Sequence, residues 1–169
     1  MTDSKIKIGI SLRITNAEQY SEKRDALSHD WTLFFEGINV FPVLIPNTIS
    51  NVREFLEKMQ LDGFLLSGGD NIGDNSDRDK TEQEIIRFGL DNNLPIFGVC
   101  RGMQAINKYF HGDIEILTNS KHVGKPHSVK IINSNFSSLL KTSSIEVNSY
   151  HNNIIKQEIL GNELEPFAI

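Results

Sequence analysis

The chain has 169 residues, enough for one domain with a sizeable core and too few for two ordinary ones. Its net charge of −5, without any basic cluster, argues against nucleic acid as a partner. No apolar run approaches the roughly 20 residues that cross a bilayer, so the reading is no membrane partner.

The N-terminus reads MTDSKIKIGISL and passes straight into a strand-like run without the basic start and cleavage site of a signal peptide, which places the expected location in the cytoplasm. Ile6 to Leu12 is β-branched and bounded by polar residues, and reads as the first strand of a buried sheet. A polar loop with Arg13 follows. From Arg24 to Phe35 the apolar positions Ala26, Leu27, Trp31, Phe34 and Phe35 recur at helical spacing, with Gly37 placed to end a helix. Val40 to Ile45 reads as a strand stopped by Pro46, Ser50 to Lys58 as a helix, and Gly63 to Leu66 as a short buried strand. That strand runs into the glycine loop Ser67-Gly68-Gly69-Asp70-Asn71. Asp79 and Glu82 have capping-box spacing at the start of a helix reaching about Asn92. Leu94 to Val99 then leads into Cys100, and Gly102 to Phe110 reads as a further helix.

Alternating strands and helices predict an α/β fold with a doubly wound, mostly parallel sheet, whose ligands sit beyond the carboxyl ends of the strands. Both glycine-bearing loops fall on that edge. After Gly112 the pattern becomes short strand-like pieces, Asp113 to Leu117, Val129 to Ile132 and Ile145 to Asn148, without comparable helices between them. These predict an antiparallel extension. Nothing marks a boundary, so residues 1–169 read as a single domain.

The single cysteine excludes an internal disulfide and leaves either a buried thiol or a reactive one. Gly98-Val99-Cys100-Arg101-Gly102 lies between an apolar strand and a helix, where a G-x-nucleophile-x-G sequence makes a sharp elbow. The elbow projects the sulfur at a helix N-terminus, where unpaired N–H groups stabilise negative charge. The amide of Arg101 would face a developing oxyanion, and the Gly68-Gly69 loop suits a second donor, because glycine lets its backbone approach a substrate. The alternative is a small buried core cysteine. The elbow, its context and the second glycine loop together favour the nucleophile.

These residues resemble the class I glutamine amidotransferase-like family, in its γ-glutamyl hydrolase branch. The resemblance rests on Ser67-Gly68-Gly69-Asp70, Arg78-Asp79-x-x-Glu82, Pro95 through Gly102-x-Gln104, His127-x-Val129-x-Ile131 and Val147-Asn148-Ser149-Tyr150-His151, in that order. It implies a flavodoxin-like fold and a cysteine that attacks a γ-glutamyl amide, forms a γ-glutamyl thioester and releases glutamate to water. Carried over by motif position, Cys100 is the nucleophile, Gly69 and Arg101 supply oxyanion amides, and Gly68, Gln104, Asn148, Ser149, Tyr150 and His151 bind the glutamyl substrate. No cofactor and no metal are implied. Simpler readings stand beside these: Gln104 on an exposed first helical turn, Arg78, Asp79 and Glu82 as a surface cap with its partner, and His151 as a structural loop residue.

A thiolate needs a base, normally a histidine oriented by a carboxylate. The family takes both from a late W-H-P-E-like motif, which these residues do not contain. His151 is the base that simple chemistry nominates, although the resemblance assigns that loop to substrate. His29, His111, His122 and His127 lack metal-ligand spacing and read as structural or solvated. Glu165 to Ile169 reads as the opening of a strand, which predicts a chain incomplete at its C-terminal end. Ile10 to Arg13, Arg24 to Leu27 and Asp30-Trp31 are similar to members found in surface-polysaccharide gene clusters, where one activity is hydrolysis of γ-glutamyl-CDP-amidate. The expected partner is thus a small γ-glutamyl substrate. A homodimer, an amidotransferase subunit feeding ammonia to a synthetase, and an inactive binding homologue are the other readings.

Overall fold

The computed structural model describes residues 6–117 and 124–169, which form two compact units divided after Ile106. His122 lies outside the described residues.

The first unit is built on four parallel strands, β1 (Lys7–Ser11), β4 (Phe41–Ile45), β5 (Gly63–Leu66) and β6 (Ile96–Gly98), in the order β4-β1-β5-β6. Ile8 lies opposite Pro42 on one side and Gly63 on the other, and Phe64 opposite Ile96. Successive side chains leave a strand on opposite faces, so each face has its own apolar set. On one face Ile10 and Leu65 are buried against Phe35 of α1 (His29–Gly37), with Trp31 packed beside them. The other face carries Phe64, Ile45 and Leu61, which close on Gly9 so tightly that a methyl group there would meet Leu61 at 2.7 Å. Leu56 of α2 (Val52–Met59) and Ile85, Ile86 and Phe88 of α3 (Ser76–Asp91) are buried as well, with Phe88 edge-on to Phe64 at 6.0 Å. Sequential parallel strands need crossovers, and these helices supply them. The expected doubly wound sheet is therefore present, and the ends of β1, β5 and β6 share its carboxyl edge.

The segment before α1 differs from its expected form. Arg24 to Ala26 is not the start of a helix but part of β3 (Lys23–Ala26), which pairs antiparallel with β2 (Arg13–Asn16), Arg13 opposite Ala26 and Thr15 opposite Arg24. The carboxylate of Asp25 accepts hydrogen bonds from the backbone and side-chain nitrogens of Asn47, at 2.9 and 2.6 Å. That long-range clamp holds β3 extended and overrides the local helical spacing of Ala26, Leu27 and Trp31.

The start of α3 also differs. Its N-cap is Asn75, so Asp79 and Glu82 lie inside the helix and form no surface cap; Arg78 and Glu82 are buried.

In the second unit β7 (Glu115–Ile116) pairs antiparallel with β10 (Asn153–Ile154), and β8 (His127–Lys130) with β9 (Ser144–Val147). The extension is antiparallel as expected, but it contains a helix that the pattern did not announce, α5 (Ser134–Leu140). Asn133 caps it, its Oδ1 accepting from the amides of Asn135 and Phe136 at 2.9 and 3.3 Å. Phe136, Leu139 and Leu140 do recur at helical spacing, but seven residues are too short a run for that period to stand out, and none of them is buried. The Glu165–Ile169 run contributes one antiparallel bridge, Ala168 to Ile131. Asn107 organises this unit: its side-chain amide donates to the carbonyls of Asp113 (2.8 Å) and Ile159 (3.3 Å) and accepts from the amide of Gly161 (2.7 Å).

Candidate active site

Between β6 and α4 (Arg101–Tyr109) the chain turns through Cys100, which holds φ = +55°. A non-glycine residue in that region is strained, and such strain persists only where surrounding structure enforces it. The enforcement is visible. The amide of Val99 donates to the carbonyl of Leu66 at 3.0 Å and that of Gly102 to the carbonyl of Val99 at 2.9 Å, which lays the turn against the end of β5. A methyl group on Gly102 would sit 2.1 Å from the Leu66 carbonyl oxygen, and one on Gly98 would sit 2.5 Å from the backbone of Gly102. Only glycine fits at either place. Cys100 itself is exposed.

The loop after β5 faces the sulfur. A methyl group on Gly68 would lie 3.4 Å from Cβ and 3.8 Å from Sγ of Cys100. Gly69 has φ = +141°, and its added methyl would strike Arg78 at 2.7 Å and the stem of Arg13 at 3.0 Å. Arg78, fully buried, holds this loop from beneath: its guanidinium donates to the carbonyls of Ser67 (2.8 Å) and Gly68 (3.1 Å), and to Asp70 Oδ1 (2.6 Å). In a trans peptide the N–H points opposite to the C=O. Drawing the Ser67 and Gly68 carbonyls onto Arg78 therefore turns the amides of Gly68 and Gly69 away from it.

Glu82 joins this support to the elbow. Its carboxylate accepts from Arg78 Nε (3.0 Å), from Ser11 Oγ (2.8 Å) and from the guanidinium of Arg101. Arg101 also pairs with Asp79 at 2.5 Å, and its side chain is buried. Only its backbone is left for chemistry beside Cys100. Ser11 Oγ accepts from the amide of Ser67 (3.0 Å), fastening β1 to the loop. Burial alone pushes Asp70 up, but the Asn75 amide and the Arg78 guanidinium outweigh it and hold that carboxyl below its ordinary value. The sequence reading found Arg78, Asp79 and Glu82 as a motif but missed their position: buried Arg78 and Glu82, with half-buried Asp79, are the frame under both loops. Gln104, one turn beyond Cys100, is 3% exposed rather than on an open first turn, and its amide donates to the Cys100 carbonyl at 3.3 Å.

Thus Cys100, Gly68, Gly69, Arg101 and Gln104 come together in the first unit. Asn148, Ser149, Tyr150 and His151 belong to the second, following β9. There Ser149 is buried with no partner for its hydroxyl among the described residues, Tyr150 is exposed, and His151 Nδ1 lies 2.7 Å from the carbonyl oxygen of Asn153. Of the other histidines, His29, His111 and His127 are exposed. Among the described residues no group of three His, Cys, Asp or Glu side chains is placed to hold a metal ion.

The sequence pattern of the Peptidase C26 family matches residues 7–169. The chain belongs to that family. It lies in the class I glutamine amidotransferase superfamily, in the branch that resembles γ-glutamyl hydrolases. A γ-glutamyl-CDP-amidate hydrolase of Campylobacter jejuni subsp. jejuni serotype O:2 is 32% identical over 164 residues, covering 93% of this chain and 74% of that protein. Two further relatives are matched over 57% and 53% of this chain and over 48% and 36% of their own lengths. The crystal structure of a glutamine amidotransferase from Thermotoga maritima shares the fold with a TM-score of 0.69 at 13% identity, over 96% of this chain and 66% of that one. So does the Trypanosoma brucei CTPS glutaminase domain with bound acivicin, with a TM-score of 0.63 at 16% identity, over 89% and 68% of the two chains. Fold and family are those of the hydrolase and amidotransferase enzymes.

Proposed function

We propose that the protein is a hydrolase of γ-glutamyl amides, with Cys100 as its nucleophile. The observation that carries this is the elbow: Cys100 is exposed and held at φ = +55° with its sulfur over Gly68. A structural cysteine would have no need of either feature. In the reaction Sγ attacks the γ-carbonyl carbon, and the negative charge that develops on oxygen falls to the backbone amides of Gly69 and Arg101. Collapse breaks the C–N bond, the amine takes up a proton and departs, and a γ-glutamyl thioester remains on Cys100. Water adds to that thioester, releasing glutamate and restoring the thiol. Gly68 and Gln104 bind the glutamyl part, a role that the family resemblance also gives to Asn148, Ser149, Tyr150 and His151. The relative from Campylobacter jejuni supports γ-glutamyl-CDP-amidate as the specific substrate, and the similarity of Ile10 to Arg13, Arg24 to Leu27 and Asp30-Trp31 to members from surface-polysaccharide gene clusters supports a role in supplying a nucleotide phosphoramidate there.

A γ-glutamyl chloromethyl ketone tests this reading. It should alkylate the peptide carrying Cys100, more slowly when a γ-glutamyl amide is present, and Cys100→Ser should take up none. Ready labelling by iodoacetamide with none by the γ-glutamyl reagent would refute it. Glutamate release from γ-glutamyl-CDP-amidate, compared with glutamine, then decides the leaving group.

A further inference from the structure

The β2–β3 hairpin is fixed rather than loose. Besides its two bonds to Asp25, buried Asn47 donates to the carbonyl of Leu12 at 3.0 Å, so both ends of the hairpin are fastened to the residue that follows β4 and Pro46. The side chains and backbone of Arg13, Leu27, Trp31, Gly68, Gly69 and Val99 help to enclose a cavity of about 230 Å³ between this hairpin, the start of α1 and the glycine loop. Its walls therefore include Val99, immediately before the nucleophile, and the glycine loop that faces it. Trp31 is held against Phe34 and Phe35, with ring centroids 6.0 and 6.3 Å apart, and provides a firm apolar wall.

The one cation on this lining is Arg13. Its stem crosses Gly69, with Cβ and Cδ 3.0 and 3.5 Å from where a methyl group on that glycine would stand. The chain has six arginines. Arg24, Arg53, Arg78, Arg87 and Arg101 each have a carboxylate partner within the ion-pair distance, and Arg13 has none among the described residues. The carboxylates on neighbouring elements are already engaged, Asp25 with Asn47 and Asp70 with Asn75 and Arg78. Arg13 is exposed, its stem runs along a lining that also holds Ser28 and Ser67, and a guanidinium without a carboxylate partner at that place is suited to a ligand that brings the negative charge itself, its planar fork matching a phosphoryl group.

We propose that this cavity receives the leaving group of the amide, and that Arg13 selects an amine bearing a phosphoryl group or a similar anion. The proposal rests on the hydrolase reading above, which assigns the glutamyl half of the substrate to Gln104 and the 148–151 loop. At about 230 Å³ the cavity is smaller than the pockets that enclose whole drug-sized ligands, and fits the phosphoryl end of a leaving group rather than all of a nucleotide. Arg13 is a binding residue here, without a part in bond making.

The test follows Cys100 alkylation by iodoacetamide with CDP as the probe and cytidine as its uncharged control. CDP should protect Cys100 saturably and cytidine should not. Arg13→Met, which keeps the unbranched stem over Gly69, should raise the half-protecting CDP concentration by about tenfold or more, and Arg13→Lys by less. Labelling by the γ-glutamyl chloromethyl ketone, which carries no leaving amine, should fall by far less in Arg13→Met than CDP protection does. Equal protection of wild type and Arg13→Met, or no protection by CDP, would overturn the assignment. Intact, Arg13-dependent CDP protection in a protein that the ketone cannot label would instead overturn the γ-glutamyl reading and leave the anion site standing.

Discussion

Replacing Glu82 with alanine should both destabilise the first unit and slow chemistry at Cys100. Glu82 is 1% exposed and accepts from three donors on three elements: Ser11 of β1, Arg78 of α3 and Arg101 of α4. Its loss leaves two buried guanidiniums sharing Asp70 and Asp79, one carboxylate each. Breaking a buried ion pair by removing one partner typically destabilises by about 3–5 kcal/mol. Because each arginine keeps a carboxylate, the lower end applies, about 3 kcal/mol. For a chain of this size that corresponds to a fall in Tm of roughly 6–12 °C. Glu82→Gln keeps an acceptor without the charge and should fall between the variant and wild type. Urea titration followed by circular dichroism reads the loss as a lower midpoint at unchanged slope. Labelling of Cys100 by the γ-glutamyl ketone, measured where both proteins are folded, reads the second effect. A stability change within about 0.5 kcal/mol of zero would refute the network's structural role, since that is the range of ordinary surface substitutions. A destabilised protein that labels at the wild-type rate would refute its role in holding the loops.

The elbow makes its own predictions. Cys100→Gly should stabilise the protein by about 1 kcal/mol in the same titration, because glycine adopts φ = +55° without strain, while abolishing thiol labelling. Gly102→Ala should destabilise by about 3 kcal/mol, since its methyl meets backbone at 2.1 Å and not a side chain that can turn aside; a loss below about 1 kcal/mol would contradict this. Asp70 gives a pH dependence. Its folded value is held below the ordinary aspartate value of 3.8, so its contribution is present above that pH and is lost as pH falls through the lower folded value. Asp70→Asn should therefore be less stable than wild type at neutral pH and lose less stability on acidification below about pH 4, as measured by urea midpoints across pH.

The strands of the first unit and both glycine loops were legible because their signals are local. An apolar run followed by glycine, as at Gly63–Gly69 and Ile96–Gly102, identifies a strand and the tight turn after it with no help from the rest of the chain. The hairpin was not legible, since Ala26, Leu27 and Trp31 match a helical stripe, whereas β3 is kept extended by its pairing with β2 and by the Asp25–Asn47 bonds across 22 positions. For the same reason Arg78, Asp79 and Glu82 read as surface charges. Charged residues are buried only with partners, and the partners here are Arg101, 19 and 22 positions away, and Asp70 across a loop. The elbow was thus legible as a motif, while the ion-pair frame that orients its surroundings emerges only in three dimensions. Arg13 is the converse case: nothing local distinguishes it, and its interest comes from the carboxylates that are turned elsewhere.

The central claim is that Cys100 carries the γ-glutamyl group. Incubating the protein with γ-glutamyl-CDP-amidate or a simpler γ-glutamyl amide, quenching in acid and measuring the intact mass tests it most directly. The predicted result is an added mass of one γ-glutamyl group, mapped to the peptide containing Cys100, removed by hydroxylamine and absent from Cys100→Ser. Glutamate release from the same compound at an undiminished rate by Cys100→Ser would contradict it.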